Sequence, residues 1–368
     1  MKNISIVSVL ALMLGITPCI AEEYSSNGAS PKGDSSLKYV EFSEMGNPAK
    51  VLQVKADTAR ALENGEVRVK VLAAPIHPSN LLQISGLYAT APELPSIPGS
   101  EGVGQVIETS AGVTRLVVGQ QVLLVGGGTW RDQIIAPAVS FIPLPDLGTL
   151  SSGMIEQLSM TAVNPLSALL MLTSFVDLKK GEWLVHSAAN SAVGGYIIQL
   201  AKQRGIRTVN VVRREGLAED LMLKGGDVVL IDGPDLAAQI ASATDNAPIA
   251  LGIDAVGGKT FTRLAQSLNN GSTMVSYGVM SGKPVTLNPA MLIFNDIRVR
   301  GFWLSKWFET ATMAEQQAAL GQIIPLILSG ALSANVDSRF TVSEIKQAVE
   351  RAAQSGRNGK VLIVPNPL

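Results

Sequence analysis

The chain has 368 residues, 46% of them hydrophobic and 16% charged, with a formal net charge of −1 at pH 7. That length accommodates two domains, and the even charge balance leaves no basic footprint for nucleic acid. Cys19 is the only cysteine, which excludes internal disulfides; without the first residues of the chain, cysteine-ligated zinc is excluded as well.

Residues 1–21 stand apart. Lys2 precedes an uncharged apolar run over 4–16, of signal-peptide length and too short to span a bilayer. Thr17-Pro18 breaks the run, and Cys19 and Ala21 are small residues placed for cleavage after Ala21. The segment reads as an export leader, which makes the protein periplasmic; a cytoplasmic protein with a buried N-terminal segment is the alternative. Residues 22–36 (EEYSSNGASPKGDSS) are polar and read as a flexible linker.

Short strands follow, over 37–42, 66–72, 104–109 and 121–125, punctuated by Gly99, Gly102, Gly112 and Gly119. They predict a small, partly closed β-barrel domain over 37–160. At 160–175 the period becomes helical, with Pro165 in the first turn. The stretch 182–215 then reads as one βαβ unit. Its parts are an apolar strand from Trp183, a turn of small residues, a helix carrying Ile197, Ile198, Leu200 and Ala201, a stop at Gly205, and a strand over 208–212. A dinucleotide pyrophosphate sits at such a turn.

The alternation continues with strands over 227–231, 249–255, 272–277 and 298–304 and helices over 217–224 and 261–268. This predicts a doubly wound parallel sheet over 161–304. The remaining 305–368 offers a helix over 312–328, kinked or shortened at Pro325, then strand, helix and strand. It reads as a return to the first domain. The fold class is therefore α/β, a doubly wound sheet inserted between two parts of a β-barrel domain, with the active cleft between them.

Three features carry chemistry. The turn has Ala189, Ser191 and Gly194 at the spacing of G-x-G-x-x-G, so only the last glycine is present, but small residues also permit close approach of backbone N–H groups to phosphate. Ser191 adds a hydroxyl for a phosphate. Arg213 and Arg214 end the second strand where an NAD site usually carries a carboxylate, which favours a 2′-phosphate and hence NADPH; a pair of solvated arginines is the alternative. A hydride acceptor also needs a proton. Of the two histidines, His77 reads as a turn residue and His186, at a strand end, as a packed or cofactor-adjacent residue rather than an acid. Tyr88, in a loop after Gly86, reads by residue type as a packed or surface tyrosine; facing a cleft it could deliver a proton. No metal site is suggested.

The segments IHPSNLLQISGLY, LPSIPGSEGVGQVIETSAGV, GGGTWR, VNPLSALLML, AANSAVGGYIIQLAKQRGIRTVNVVR, MVSYGVMS and IRVRGFWLSKWF resemble the zinc-free branch of the medium-chain dehydrogenase/reductase superfamily. Within it they resemble the NADPH-dependent trans-2-enoyl thioester reductases. The likeness runs over 37–364. It implies a dinucleotide-binding Rossmann domain and a GroES-like catalytic domain, with reduction of the 2,3 double bond of an acyl thioester. Tyr88 then matches the catalytic tyrosine, placed to protonate the α-carbon or to steady the developing enolate. Asn164 matches a cofactor-side asparagine, and Asn190, Ser191, Ala192 and Val193, leading into Gly194, match the pyrophosphate loop. Arg213, with Arg214 beside it, matches the 2′-phosphate arginine. Tyr277, Gly278, Val279 and Met280, and Phe302, Trp303 and Leu304, match segments lining the nicotinamide. Lys360 matches a cofactor-side lysine, and Trp130 a position near the cleft, with core packing as the alternative for both Trp130 and Trp303.

His77 and Asn80 stand where the family usually has Asn and Asp, and Arg214-Glu215 replaces what is often Asp-Arg. The resemblance implies a homodimer. Two other functions stay open: an NADPH:quinone reductase, and an exported binding protein that keeps the fold without the reaction.

Overall fold

The computed structural model describes residues 37–366; the leader over 1–21 and the linker over 22–36 lie outside the described residues. From the N-terminal side the chain lays down β1 (Leu37–Glu41), α1 (Pro48–Val51), β2 (Gln53–Asp57), β3 (Glu66–Pro75), α2 (Pro78–Ile84), β4 (Glu101–Thr109), β5 (Gln121–Val125), β6 (Gln133–Pro137), β7 (Phe141–Pro143) and α3 (Ser152–Ser159). The middle of the chain alternates. It runs through α4 (Asn164–Thr173), β8 (Trp183–His186), α5 (Ala192–Arg204), β9 (Arg207–Val212), α6 (Ala218–Leu223), β10 (Val228–Ile231), α7 (Leu236–Ala243), β11 (Ile249–Asp254), α8 (Gly258–Gln266), β12 (Thr273–Ser276), α9 (Pro289–Ile293) and β13 (Arg298–Gly301). The end comprises α10 (Leu304–Thr310), α11 (Met313–Leu328), β14 (Val336–Phe340), α12 (Ile345–Ala353) and β15 (Lys360–Ile363).

The chain divides into two units. The first holds residues 37–159 with Ser338–Gly356 and 361–366; the second holds 160–337 with Arg357–Lys360. In the first unit the alternation in β3 sends Val67, Val69 and Val71 into a core with Val106, Leu116, Val122 and Leu124. Full burial of each such side chain stabilises by roughly 1.5–3 kcal/mol. A second cluster joins Phe42, Ile76, Ile84 and Trp130 to Ile345 and Val349 of α12. The strands form a seven-stranded sheet of order β14-β15-β3-β4-β5-β7, with β6 also on β3. Its path does not close on itself among the described residues, and its β15-β3, β3-β4, β3-β6, β4-β5 and β5-β7 pairs are antiparallel. The C-terminal strand β15 joins it antiparallel to β3, with Leu362 opposite Pro75 and Ile363 opposite Ala74.

The second unit is built on a six-stranded sheet of order β10-β9-β8-β11-β12-β13, parallel throughout. Numbered from β8 this is 3-2-1-4-5-6, the doubly wound order. The strand order reverses between β8 and β11, and their carboxyl ends open a crevice where such sheets bind ligands. Trp183, Val185, Val209, Val211, Ile249 and Phe261 are buried in its core.

Residues 305–337 stay with the second unit rather than returning to the first, as the sequence led us to expect. The cause is packing: α11 lies on α4, and the Gln199 amide on α5 brackets Ser333, donating to its C=O at 2.9 Å and accepting its N–H at 2.8 Å. The return to the first unit comes at Ser338. The strand expected over 298–304 stops at Gly301, and Trp303 caps α10 instead. Pro325 does not shorten α11, which runs on to Leu328. Thr312 and Glu315 fix the start of that helix with a reciprocal capping box.

Candidate active site

β8 ends at His186, and residues 187–191 turn the chain into α5. Ala188 adopts φ 50°, the left-handed conformation that a Cβ disfavours, and so does the work of a turn glycine at a cost of about 1–2 kcal/mol. Ala189 N–H is pinned to Val211 O of β9 at 3.2 Å, and Ser191 N–H closes the turn on Ala188 O at 2.8 Å. Ser191 is the N-cap of α5: its Oγ accepts from Gly194 N–H at 3.1 Å. That leaves the Ala192 and Val193 N–H groups of the first turn without acceptors in the helix. The positive end of the thirteen-residue α5 lies at the same place. Gly194 is required here, since a Cβ on it would stand 2.5 Å from Ala189 O and 2.7 Å from Ala188 O. At the other end Gly205, at φ 67°, caps the helix and stops it.

A network absent from the sequence reading holds this turn. Asp254, fully buried at the end of β11, accepts from Ser187 Oγ at 2.6 Å and from Gly257 N–H at 2.6 Å. Ser187 Oγ in turn accepts from Ala255 N–H at 3.0 Å. The carboxylate thus ties the loops after β8 and β11 together across the switch point. Burial pushes its pKa up, against the pull of these hydrogen bonds. Tyr277 joins from β12, its N–H on Asp254 O at 2.9 Å and its hydroxyl hydrogen-bonded to Ser191. Burial pushes the Tyr277 phenol up, so the group stays protonated. Ser191, read as a phosphate ligand, is therefore already engaged by Gly194 and Tyr277. The signal that could have found Asp254 is a lone carboxylate at the end of a buried strand, followed by the glycine pair Gly257-Gly258.

Under the turn, His186 is fully buried with Nε2 at 2.7 Å from Asn210 Oδ1. The Asn210 amide in turn donates to Thr208 Oγ1 and Val228 O. Burial holds the imidazole down to about 4, so it is neutral and packed, as the sequence suggested. Its depressed pKa stabilises the fold fully above the unfolded value of about 6.5, and the contribution is lost as pH falls through the folded value. We expect about 3 kcal/mol to be lost this way between pH 6.5 and 4. Urea unfolding of wild type and His186→Asn across that range checks it: the variant should lose correspondingly less, and parallel pH profiles would refute the assignment.

The other predicted residues fall as follows. Arg213 and Arg214 are exposed just past the end of β9 and make no ion pair among the described residues; Asn190 is exposed in the turn. Asn164 opens α4, buried, and its Nδ2 has no hydrogen-bond partner among the described residues. Gly278 follows Tyr277, with Ala255 O only 2.7 Å from where its Cβ would be, and Val279 and Met280 are exposed beyond it. Phe302 meets Phe175 edge to face at 6.4 Å, with Trp303 and Leu304 at the start of α10. Lys360 is buried at the start of β15, its N–H on Asn335 O at 2.8 Å. In the first unit Tyr88 is half-buried, just past α2. Trp130 is fully buried, its indole N–H directed at Pro75 O. It is a core residue, the alternative that the sequence offered.

The second unit fits a dinucleotide. Among the described residues, helix-start N–H groups without an intrahelical acceptor, a buried Asn164 amide without a partner and guanidinium groups without an ion pair past the neighbouring strand form a donor set for phosphates and an amide-bearing ring. Among the described residues no group of three or more His, Cys, Asp and Glu side chains is placed to hold a metal ion. None of the helices described is long and apolar enough to cross a membrane.

Residues 63–146 match the alcohol dehydrogenase GroES-like domain, and residues 192–319 match the family described as zinc-binding dehydrogenase. The mitochondrial enoyl-[acyl-carrier-protein] reductase of Rattus norvegicus is 36% identical over 323 residues, 86% of this chain and 85% of that protein. The chain belongs to this enoyl reductase family of the medium-chain dehydrogenase/reductases. Solved structures agree. The complex of Etr1p, from Candida tropicalis, with NADP and crotonyl-CoA superposes with a TM-score of 0.81 at 28% identity, covering 90% of this chain and all of that one. A putative NADPH:quinone reductase from Bacillus thuringiensis gives a TM-score of 0.80 at 29% identity, covering 90% of this chain and 99% of that one. In this chain the turn takes its left-handed residue from Ala188, and the one glycine kept from the fingerprint, Gly194, gives the close approach of helix and turn.

Proposed function

We propose that the protein reduces the 2,3 double bond of trans-2-enoyl thioesters with NADPH. The observation that carries this reading is the match along nine-tenths of the chain to the Etr1p complex, whose ligands are NADP and crotonyl-CoA. NADPH supplies the hydride that the β-carbon receives. Ala192 and Val193 N–H bind the pyrophosphate at the head of α5, and Asn190 flanks it. Arg213 and Arg214 pair with the 2′-phosphate, and Asn164 and Lys360 hold the cofactor side. The segments from Tyr277 to Met280 and from Phe302 to Leu304 line the nicotinamide. Tyr88 delivers the proton to the α-carbon. The thioester carbonyl makes the β-carbon electrophilic, and donors at its oxygen stabilise the charge that develops there.

The test is a panel of enoyl-CoA substrates with NADPH and NADH side by side. NADPH oxidation is expected with at least one chain length, and none with any would overturn the reading. Replacing Arg213 with alanine should raise the KM for NADPH by about 10- to 100-fold, the worth of one charge-assisted pair, and leave NADH nearly unchanged. Equal effects on both cofactors would refute the 2′-phosphate role. A quinone acceptor is the second reading, favoured by the Bacillus thuringiensis likeness; faster turnover of quinones than of every enoyl-CoA decides for it.

Two further parts of the reading rest on narrower support. Homodimer formation is supported by β13, an edge strand whose four residues are all exposed, with Val299 42% and the nearby Phe294 77% accessible. Sedimentation of a monomer at micromolar concentration would overturn it. Export is supported by the sequence of residues 1–21; periplasmic protein beginning at Glu22 is expected, and cytoplasmic protein beginning at Met1 would count against it.

A further inference from the structure

The strongest uncommitted cluster lies in the first unit, at the opposite end of α2 from Tyr88. His77 and Glu101 are both buried, and His77 Nε2 stands 2.8 Å from Glu101 Oε1. The pair does not stand alone. His77 N–H donates to Asn80 Oδ1 at 2.9 Å, and the Asn80 amide donates to Ser100 Oγ at 2.6 Å, next to Glu101. The first turn of α2 is thereby stitched to the start of β4 at two adjacent residues. Thr129 Oγ1 donates to Glu101 O at 2.9 Å and fixes the strand side.

From this anchor to Tyr88 there is no loose joint. α2 is seven residues long, roughly 10 Å of rigid rod. Its last residue, Ile84, is fully buried, and its carbonyl accepts from Gly46 N–H at 3.0 Å. Ser85, Gly86 and Leu87 each bond back to the helix, through Leu81 O, Gln83 O and Leu82 O. Tyr88 is the next residue. A rotation of the helix about its N-terminal end therefore reaches Tyr88 undamped. A buried ionisable pair stabilises a fold weakly, because desolvation offsets its attraction, but it fixes geometry closely.

We infer that the His77–Glu101 pair is a positioning device that sets α2, and through it the loop that presents Tyr88. The inference rests on the reading of Tyr88 as the proton-delivering group. Its residues touch no substrate; they act through the helix.

The test uses the full-length protein with NADPH and crotonyl-CoA. Glu101→Leu is expected to lower kcat by about 10- to 100-fold, the effect of displacing a reacting group by a fraction of an ångström to an ångström. The NADPH dissociation constant, read by fluorescence titration, should not move. Glu101→Gln, which keeps an acceptor for the imidazole N–H, should restore most of the rate. In a Tyr88→Phe background Glu101→Leu should cost less than about twofold more, since the two changes act on one group. If Glu101→Leu does not fold, the His77→Leu/Glu101→Leu pair removes both polar partners and takes its place. Full kcat in the folded variant, or an undiminished further loss in the Tyr88→Phe background, overturns the inference alone. Full kcat in Tyr88→Phe itself overturns the reading of Tyr88 and the inference with it.

Discussion

Replacing Gly194 with alanine is expected to weaken NADPH binding by about 10- to 100-fold while the protein remains folded. The added methyl meets Ala189 O at 2.5 Å and Ala188 O at 2.7 Å, both backbone atoms that no rotamer change can move away. Either α5 slides off the turn or the turn opens, at about 1–3 kcal/mol of overpacking. Both motions pull Ala192 and Val193 N–H from the place proposed for the pyrophosphate, and both strain the Ser191 cap. The measurement is NADPH titration beside thermal unfolding. Wild-type affinity in a folded variant would show that the head of α5 does not bind the phosphates. Ala188→Gly is the informative partner: it relieves the positive φ and should leave binding intact.

Tyr88→Phe should lower kcat on enoyl-CoA by about 10²- to 10⁴-fold, the usual contribution of a positioned proton donor. The two side chains differ by one hydroxyl, and the residue is only half-buried, so folding should not change. NADPH affinity should also hold, because the residues proposed to bind it lie in the other unit. A loss in kcat and kcat/KM together, without a change in NADPH binding, is the signature of an interaction made only in the transition state. Unchanged turnover would remove Tyr88 from the mechanism.

The sequence made some of this legible for local reasons. The βαβ unit at 182–215 was readable because apolar period, small turn residues and a left-handed stop at Gly205 agree with one another within a few residues. What escaped depends on distant partners. Asp254 looks like an ordinary strand end until Ser187, 67 residues earlier, is seen to donate to it. The α2 segment PSNLLQI is too short to show a helical period, and buried bonds to β4 hold its first turn. Residues 305–337 went to the wrong unit because Gln199 grips Ser333 across 134 residues, a contact no local pattern encodes. Trp130 stayed ambiguous for a related reason: an aromatic beside glycines reads equally as a cleft wall or as a core anchor, and only packing against Phe42 and Ile345 decides.

The pairing of β15 with β3 has a consequence for biosynthesis. Ala74 and Pro75, with Ile76 N–H on Val361 O, wait for partners made far later in the chain, at Leu362 and Ile363. At ordinary translation rates that wait is roughly 15 to 60 s. The second unit, almost continuous in the chain, can form on the ribosome during that interval, whereas the first stays open along an apolar strand margin. A chain lacking residues 359–368 would carry a complete parallel sheet in its second unit and an uncovered, aggregation-prone strand margin in its first.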